Sequence, residues 1–356
     1  MPQDPSLITA VALKPLCRSL LTAAGLLPAD AELVADSLVE ANLRGIDSHG
    51  VARLPHYLRR LAQGSINPRP AMNFVKLGPA LGRLDGNHGL GQLVMHRATR
   101  EVIALAREAG AAWVSVCNSS HCGALDYYGL QVARAGMIGF VFTHVDPMVL
   151  PHAARQAFSG TNPICITAPG ERDQTFCLDM ATSIVPWNHV SNAAQEGKSI
   201  SPGLAVDDSG HDTTDPSKVI ALYPFGGYKG SGLGLAIDIL CAMLGGAPYG
   251  PDVPKMYGDL TQRRQLGGLV GAIDIARFMP LNQVQARVSE LLTRWGALPP
   301  VEPGGKVIYP GEPEELSKQL RLREGIPLPA ALADEFDQLA AAGGLPPLSQ
   351  TFGTAG

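Results

Sequence analysis

The chain has 356 residues, 46% of them hydrophobic and 17% charged, which is typical of a folded protein with a large core and excludes a disordered one. Its net charge is −4 and its basic residues form no block, so nucleic acid is not an expected partner. The six cysteines show no paired spacing, which favours reduced thiols and a cytoplasmic protein.

Two further segments bear on the compartment. The N-terminus lacks a basic stretch followed by a long apolar run, so we expect no secretion signal. The apolar stretch 233–244 is interrupted by Asp238 and is too short to span a bilayer, so we expect no membrane partner.

The first seventy residues show helical periodicity. Apolar residues recur every three to four positions in segments 6–24, 30–43 and 49–63, and Gly45 is a predicted stop of the second helix. Asp47 or Ser48 is predicted to cap the third, because a short side-chain oxygen accepts a free first-turn N–H.

From residue 71 onward, β-rich runs alternate with helical ones, which is typical of an α/β fold. The predicted strands are 74–77, 82–85, 112–117, 137–143, 164–167, 176–181, 203–206, 220–223 and 267–275. The predicted helices are 89–109, 127–135, 188–196, 235–244, 281–295, 314–323 and 329–342. We expect a helical domain of residues 1–75, against which 314–356 pack, and an α/β domain of residues 76–313.

The segment 44–53 is the first candidate for chemistry. If Ser48 caps the third helix, His49 opens it and Arg53 follows one turn later on the same face. Arginine grips a carboxylate with two parallel hydrogen bonds, and histidine exchanges a proton near neutral pH. The pair suits a substrate with a carboxylate beside a carbonyl; the alternative is an ordinary cap followed by solvated residues.

The polar turn 118–123 is a second candidate, because binding groups collect in turns between strands and helices. His121 lies in it, although a turn histidine bonded to backbone is the alternative. Cys117, His121 and Cys122 could suggest a metal, but no second cluster stands at ligand spacing, and we expect none.

The stretch 230–234 resembles a dinucleotide fingerprint, but its G-x-G-x-G spacing is wrong, and a glycine turn beside a helix is the alternative. Lys229, at its mouth, is suited to a phosphate or a ribose. Asp179 follows a predicted strand and could bind a ribose or cap Thr182. Ser231 forms no nucleophile elbow, so a serine hydrolase is not expected.

Seven motifs in order resemble the malate/L-lactate dehydrogenase family, which lacks a Rossmann fold. They are Arg44-Gly-x-Asp-Ser-His-Gly50 with Arg53, Asn118-Ser-Ser-His-x-Gly123, Ser159-Gly-Thr-Asn-Pro163, Asp179-Met-Ala-Thr-Ser183, Thr214-Asp-Pro216, Gly227-Tyr-Lys-Gly230 and Pro310-Gly-Glu312. The resemblance implies a largely antiparallel central sheet flanked by helices and a homodimer with a shared active site. It also implies NAD(P)-dependent interconversion of a 2-hydroxy acid and a 2-oxo acid.

The resemblance also implies roles for individual residues. His49, oriented by Ser48, is the acid/base, Arg53 binds the substrate carboxylate, and His121 is either a proton acceptor or a cofactor contact. Thr161, Trp187 and Asn188 are further expected substrate contacts. The cofactor contacts are Cys122 and Gly123 next to His121, then Asp179, Met180, Ala181, Lys229, Gly311 and Glu312.

One departure bears on the substrate. The resemblance implies that imine-reducing relatives have an Arg-Gly-Asp sequence where this chain has Trp187-Asn188-His189. The carboxylate that completes a serine–histidine relay in those relatives is therefore missing here. We therefore expect a keto or hydroxy acid, with a cyclic-imine reductase as the alternative. Trp187 also offers an apolar wall for a substrate bulkier than pyruvate.

The charges after Gly311 bear on the cofactor. The acidic run 312–315 would repel the 2′-phosphate of NADP, which favours NAD, although Lys318 and Arg321 follow closely. Two other readings remain: a non-catalytic protein that binds NAD or a carboxylate, and a Rossmann dehydrogenase. The first conflicts with the joint presence of Ser48, His49, Arg53 and Lys229, and the second with the helical N-terminus.

Overall fold

The computed structural model describes residues 6–172 and 174–348. Its α-helices are α1 (Ala10–Ala23), α2 (Pro28–Leu43), α3 (Leu54–Ala62), α4 (Gly91–Ala109), α5 (Asp126–Arg134), α6 (Trp187–Gln195), α7 (Tyr228–Asp238), α8 (Leu281–Gly296), α9 (Glu312–Glu324) and α10 (Ala330–Ala342). Its strands are β1 (Ser6–Ile8), β2 (Asn73–Gly78), β3 (Leu81–Asp85), β4 (Ala111–Ser119), β5 (Met137–Thr143), β6 (Ile164–Pro169), β7 (Thr175–Met180), β8 (Ala205–Val206), β9 (Ala221–Leu222), β10 (Leu266–Asp274) and β11 (Ile326–Leu328). Residues 1–5, at the N-terminus where no secretion signal is expected, lie outside the described residues. Residues 349–356 of the predicted helical domain also lie outside them.

A seven-stranded sheet in the order β2-β3-β4-β10-β5-β6-β7 forms the centre of the fold. The β3–β4 pair is parallel, and the other neighbouring pairs are antiparallel. This confirms the predicted α/β fold with a largely antiparallel sheet, which differs from the parallel sheet of a Rossmann domain.

Helices cover both faces of the sheet, as glycines in β10 demonstrate. A Cβ on Gly268 would lie 3.0 Å from the sulfur of Met95 in α4. A Cβ on Gly267 would lie 2.0 Å from the carbonyl oxygen of Cys241, which follows α7 on the opposite face. Because β10 is buried on both sides, its sequence is a nearly continuous apolar and glycine run.

A second layer contains α1, α2, α3 and α10, whose apolar residues form a separate core. In this layer β1 pairs with β11, with Ser6 opposite Leu328 and Ile8 opposite Ile326. Two segments that lie far apart in the sequence therefore meet in one small sheet.

Three local predictions were wrong. Residues 6–8 form a strand rather than the start of a helix, because they pair with a segment more than three hundred residues away. The helix predicted over 49–63 begins only at Leu54, after two 3₁₀ turns. The glycine stretch 230–234 lies inside α7 rather than in a turn, and α7 continues as the π-helix Ile239–Met243.

Within the described ranges, no helix has both the length and the apolar character needed to cross a membrane.

Candidate active site

A cavity of about 1190 Å³ lies between the helical layer and the edge of the sheet. Twelve of the fifteen predicted site residues line it: Ser48, His49, Arg53, His121, Cys122, Gly123, Thr161, Asp179, Met180, Ala181, Trp187 and Asn188. The fold therefore gathers segments from five separate stretches of the sequence around one space.

The other three predicted residues do not line this cavity. Lys229 is exposed in the first turn of α7. Gly311 has a φ of +96° and packs on Cys177, where an added Cβ would lie 2.9 Å from the Cys177 Cβ. The Glu312 carboxylate accepts a hydrogen bond of 2.6 Å from Nζ of Lys306.

Two 3₁₀ turns, Asp47–His49 and Val51–Arg53, carry Ser48, His49 and Arg53. Between them Gly50 lies so close to α2 that an added Cβ would be 2.1 Å from Oδ1 of Asn42. The same oxygen accepts a hydrogen bond of 2.7 Å from the Val51 N–H. This contact breaks the predicted helix, and the two turns bring His49 and Arg53 to the same cavity.

Neither predicted cap forms. No side chain caps either turn, and the Asp47 carboxylate instead accepts hydrogen bonds of 2.6 and 2.9 Å from the guanidinium of Arg321. Asn42 Nδ2 donates to the same carboxylate at 2.6 Å. A bidentate arginine–carboxylate pair therefore ties the turn to α9.

Two histidine side chains stack in the cavity wall. The ring centroids of His49 and His121 are 5.5 Å apart, with an interplanar angle of 22°. The hydroxyl of Ser48 lies 2.7 Å from His49 Nδ1, and the hydroxyl of Tyr57 lies 2.6 Å from His121 Nδ1. Each imidazole is thus oriented through Nδ1 by one hydroxyl group.

Tyr57 was not among the predicted site residues, because its place in α3 is typical of a core aromatic. Gln92 Nε2 donates to the Tyr57 hydroxyl at 3.1 Å, so that hydroxyl donates its own hydrogen to His121 Nδ1. The Gly123 N–H also points at this nitrogen, at 3.4 Å. We therefore assign the proton of neutral His121 to Nε2.

Both imidazoles are neutral at physiological pH. Burial, and then the charge of Arg53, lower the pKa of His49 to about 4. Burial, followed by the charges of His49 and Arg53, lowers the pKa of His121 well below its ordinary value. The site therefore presents two neutral imidazoles rather than imidazolium ions.

The guanidinium of Arg53 is held by neutral oxygen acceptors. Nε donates to the Ser48 carbonyl at 2.5 Å, Nη1 donates to the Tyr257 hydroxyl, and Nη2 donates to Asn188 Oδ1 at 3.4 Å. No carboxylate among the described residues pairs with this guanidinium, so its charge is available to an anionic ligand. Tyr257 was not predicted, because it lies 204 residues from Arg53 and belongs to no motif.

Asp179 does not cap Thr182. The Thr182 N–H and hydroxyl both donate to the Thr161 carbonyl, at 2.8 and 3.0 Å. The Asp179 carboxylate instead accepts a 2.8 Å hydrogen bond from the Asp126 N–H at the start of α5. Burial, and then the charge of Asp126, raise the pKa of Asp179 to about 7.

Acidic side chains pair with Arg44, which lines the cavity, and with Lys318, which does not. Arg44 Nε donates to the buried carboxylate of Asp126 at 2.5 Å, and Lys318 Nζ donates to Glu40 at 2.5 Å. Glu314 lines the cavity, and its Oε2 is buried without a hydrogen-bond partner in the described residues. The cavity wall at Arg44 and Glu314 therefore offers an acidic acceptor rather than a free guanidinium. Among the described residues, no group of three histidine, cysteine or acidic side chains is arranged to hold a metal.

Comparison with known proteins gives consistent matches. A sequence model described as malate/L-lactate dehydrogenase matches residues 8–337. The ureidoglycolate dehydrogenase (NAD(+)) of Escherichia coli is 36% identical over 319 residues, which cover 90% of this chain and 91% of that protein. The sulfolactate dehydrogenase structure from Methanocaldococcus jannaschii has a TM-score of 0.90 at 34% identity and covers 97% of this chain and 99% of its own. The delta1-piperideine-2-carboxylate reductase structure from Pseudomonas syringae has a TM-score of 0.85 at 28% identity, covering 94% and 100%.

Proposed function

Because the chain belongs to the malate/L-lactate dehydrogenase family, whose named members here are oxidoreductases acting on hydroxy acids, we propose that it interconverts a 2-hydroxy acid and a 2-oxo acid. The observation that carries the proposal is the meeting of His49, His121 and Arg53 on one cavity. A proton acceptor beside an unneutralised guanidinium is the pair that oxidation of a hydroxy acid requires.

We assign the proton transfer to His49 and the carboxylate to Arg53. In oxidation, neutral His49 removes the substrate hydroxyl proton through Nε2 while Ser48 holds Nδ1. In reduction, protonated His49 gives a proton to the alkoxide oxygen that develops on C2 of the substrate. Arg53 fixes the substrate carboxylate, and Thr161 with Trp187 borders the same space.

The cavity fits a nicotinamide dinucleotide beside such a substrate. Both His49 and Glu314 line it, and the Glu314 Oε2, which has no partner among the described residues, is suited to accept hydrogen bonds from a ribose. A bound nicotinamide would supply or accept the hydride. His121, Gly123 and Asp179 also line the cavity and would hold the dinucleotide.

We propose NAD rather than NADP as this cofactor. Accommodation of a 2′-phosphate usually requires an arginine, whereas Lys318 and Arg321 are paired with Glu40 and Asp47. Glu314 adds a negative charge to the cavity wall. Turnover of a panel of 2-hydroxy and 2-oxo acids, followed by nicotinamide absorbance with each cofactor, tests both proposals. Equal or better turnover with NADP would refute the cofactor assignment.

A cyclic-imine reductase is the second candidate, supported by the likeness to the Pseudomonas enzyme. In this chain Trp187 and Asn188 line the cavity and His189 is exposed, so none of the three supplies a carboxylate to Ser48. We therefore expect straight-chain 2-oxo acids to be reduced faster than piperideine-2-carboxylate. Measurable NAD binding without turnover of any acid would instead favour a non-catalytic protein.

We further propose a cytoplasmic homodimer with a shared active site. Lys229 is exposed rather than directed at its own cavity, and an exposed apolar stripe runs beside it through Tyr228, Leu235 and Ile239. A second copy on this stripe would place Lys229 between subunits. Sedimentation of the wild type and Leu235→Glu tests the assembly, and a monomeric, active wild type would contradict it.

A further inference from the structure

A short segment that belongs to none of the family motifs covers one side of the cavity. Lys255, Met256, Tyr257 and Gly258 all line the cavity, and we call them the 255–258 strap. The strap has no regular secondary structure, so its position depends on side chains that bond its backbone.

Two buried charged side chains hold the backbone of the strap. Arg60 of α3, only 2% exposed, donates to the carbonyls of Lys255 and Met256 at 3.1 and 2.8 Å. The carboxylate of Asp146 accepts the Met256 N–H at 3.2 Å and the guanidinium of Arg264 at 2.5 Å. Both backbone groups of Met256 are therefore bonded to buried ions.

Burial of ions costs free energy unless their hydrogen bonds are satisfied. Arg60 also donates to the Gln262 carbonyl at 3.0 Å, so three carbonyls of segment 255–262 are bonded to it, and its Nε donates to His56 Nε2 at 3.1 Å. These bonds hold the backbone of the strap in one position on the cavity wall.

The strap places the Tyr257 hydroxyl on the substrate-binding guanidinium. Nη1 of Arg53 donates to that hydroxyl, and the Tyr257 ring rests against His56 with the ring centroids 5.1 Å apart. An oxygen that accepts from Arg53 retains its own hydrogen to donate. A carboxylate on Arg53 would lie within reach of that O–H.

We propose that Tyr257 is a second binding residue for the substrate carboxylate, and that Arg60 is the positioning residue that holds it there. The inference rests on the proposed function, because it names a group that binds the same 2-hydroxy or 2-oxo acid. Tyr257 accepts a hydrogen bond from Arg53 and donates one to a carboxylate oxygen. A hydrogen bond to a charged group contributes about 1.5–3 kcal/mol, or roughly a 10- to 100-fold change in affinity.

The test measures binding of oxamate, a carboxylate beside an amide carbonyl, to the protein with NADH bound. We expect Tyr257→Phe to weaken oxamate about tenfold or more while NADH affinity stays unchanged, and to raise KM far more than it lowers kcat. Tyr249→Phe is the matched control, because Tyr249 is also partly exposed but does not line the cavity. Equal oxamate affinity in Tyr257→Phe and wild type would overturn the proposal.

A double-mutant cycle separates positioning from general stability. Arg60→Lys keeps a charge but loses the planar fork that reaches three carbonyls and His56, so it should weaken oxamate in the wild type and add little in the Tyr257→Phe background. Additive losses would overturn the role of Arg60. A wild type that turns over no 2-hydroxy acid and binds no oxamate would refute the proposed function, whereas an active wild type with an indifferent Tyr257 refutes only this inference.

Discussion

The imidazole of His49 stacks on that of His121 with ring centroids 5.5 Å apart. Two imidazolium ions at this distance would repel each other, and the adjacent Arg53 already carries a positive charge. The site therefore accepts at most one further proton at a time. The Tyr57 hydroxyl already donates to Nδ1 of His121, and the Nε2 of that ring carries the proton, so we expect His49 to receive it.

Replacement of each histidine separates their roles. His49→Asn should lower kcat by about 10² or more, because a positioned acid/base contributes about 10²–10⁴ to the rate. His121→Asn should raise the dissociation constant of the cofactor more than it lowers kcat if His121 is a cofactor contact. Single-turnover rates and NADH titration measure both effects. A large loss of kcat in His121→Asn with a mild effect in His49→Asn would transfer the acid/base role to His121.

The rate of each direction should depend on pH in opposite ways. With the pKa of His49 lowered to about 4, the base form is present throughout the neutral range, so kcat/KM for oxidation should be flat there and fall as the pH drops below about 4. Reduction requires the protonated form, so its kcat/KM should fall about tenfold per pH unit above that pKa. Arg53→Gln should move both profiles to higher pH, because it removes a positive charge next to His49. A reduction rate that stays constant up to neutral pH would show that the proton donor has an ordinary pKa.

Arg53→Lys should raise KM for the acid by at least about tenfold, since one ammonium cannot replace a bidentate guanidinium. The lysine would also lose the bonds to the Ser48 carbonyl and Asn188. Arg59→Lys is the matched control, because Arg59 lies on α3 with an exposed side chain paired to Glu335. Steady-state kinetics with a 2-oxo acid measure the effect, and equal KM values for the two variants would remove Arg53 from the carboxylate site.

Local sequence patterns predicted the elements that local forces determine. The strand predicted over 137–143 is β5 with the same bounds, and α2 ends where Gly45, with a φ of +80°, was predicted to stop it. The site was harder to predict, because its contacts are long-range. Tyr57 and Tyr257 reach His121 and Arg53 across 64 and 204 residues, and no spacing marks them. The motif at 44–53 lines the cavity, but the helix predicted there was wrong. The close approach of the Gly50 backbone to the Asn42 side chain, rather than helix periodicity, determines its shape.

That contact gives the last prediction. Gly50→Ala would place a Cβ 2.1 Å from Oδ1 of Asn42, so the turn between His49 and Arg53 must move away from α2 and lose the Val51 N–H bond. Because a displacement of about 1 Å costs about 10² in rate, kcat/KM should fall by about 10² and the melting temperature should drop by several degrees. Gly78→Ala is the matched control, since nothing lies within 4 Å of its added Cβ and its φ is not positive. In an Asn42→Ala background the obstructing amide is gone, so the same Gly50→Ala change should cost much less. Wild-type melting temperature and kcat/KM in Gly50→Ala would mean that the turn does not depend on this close approach.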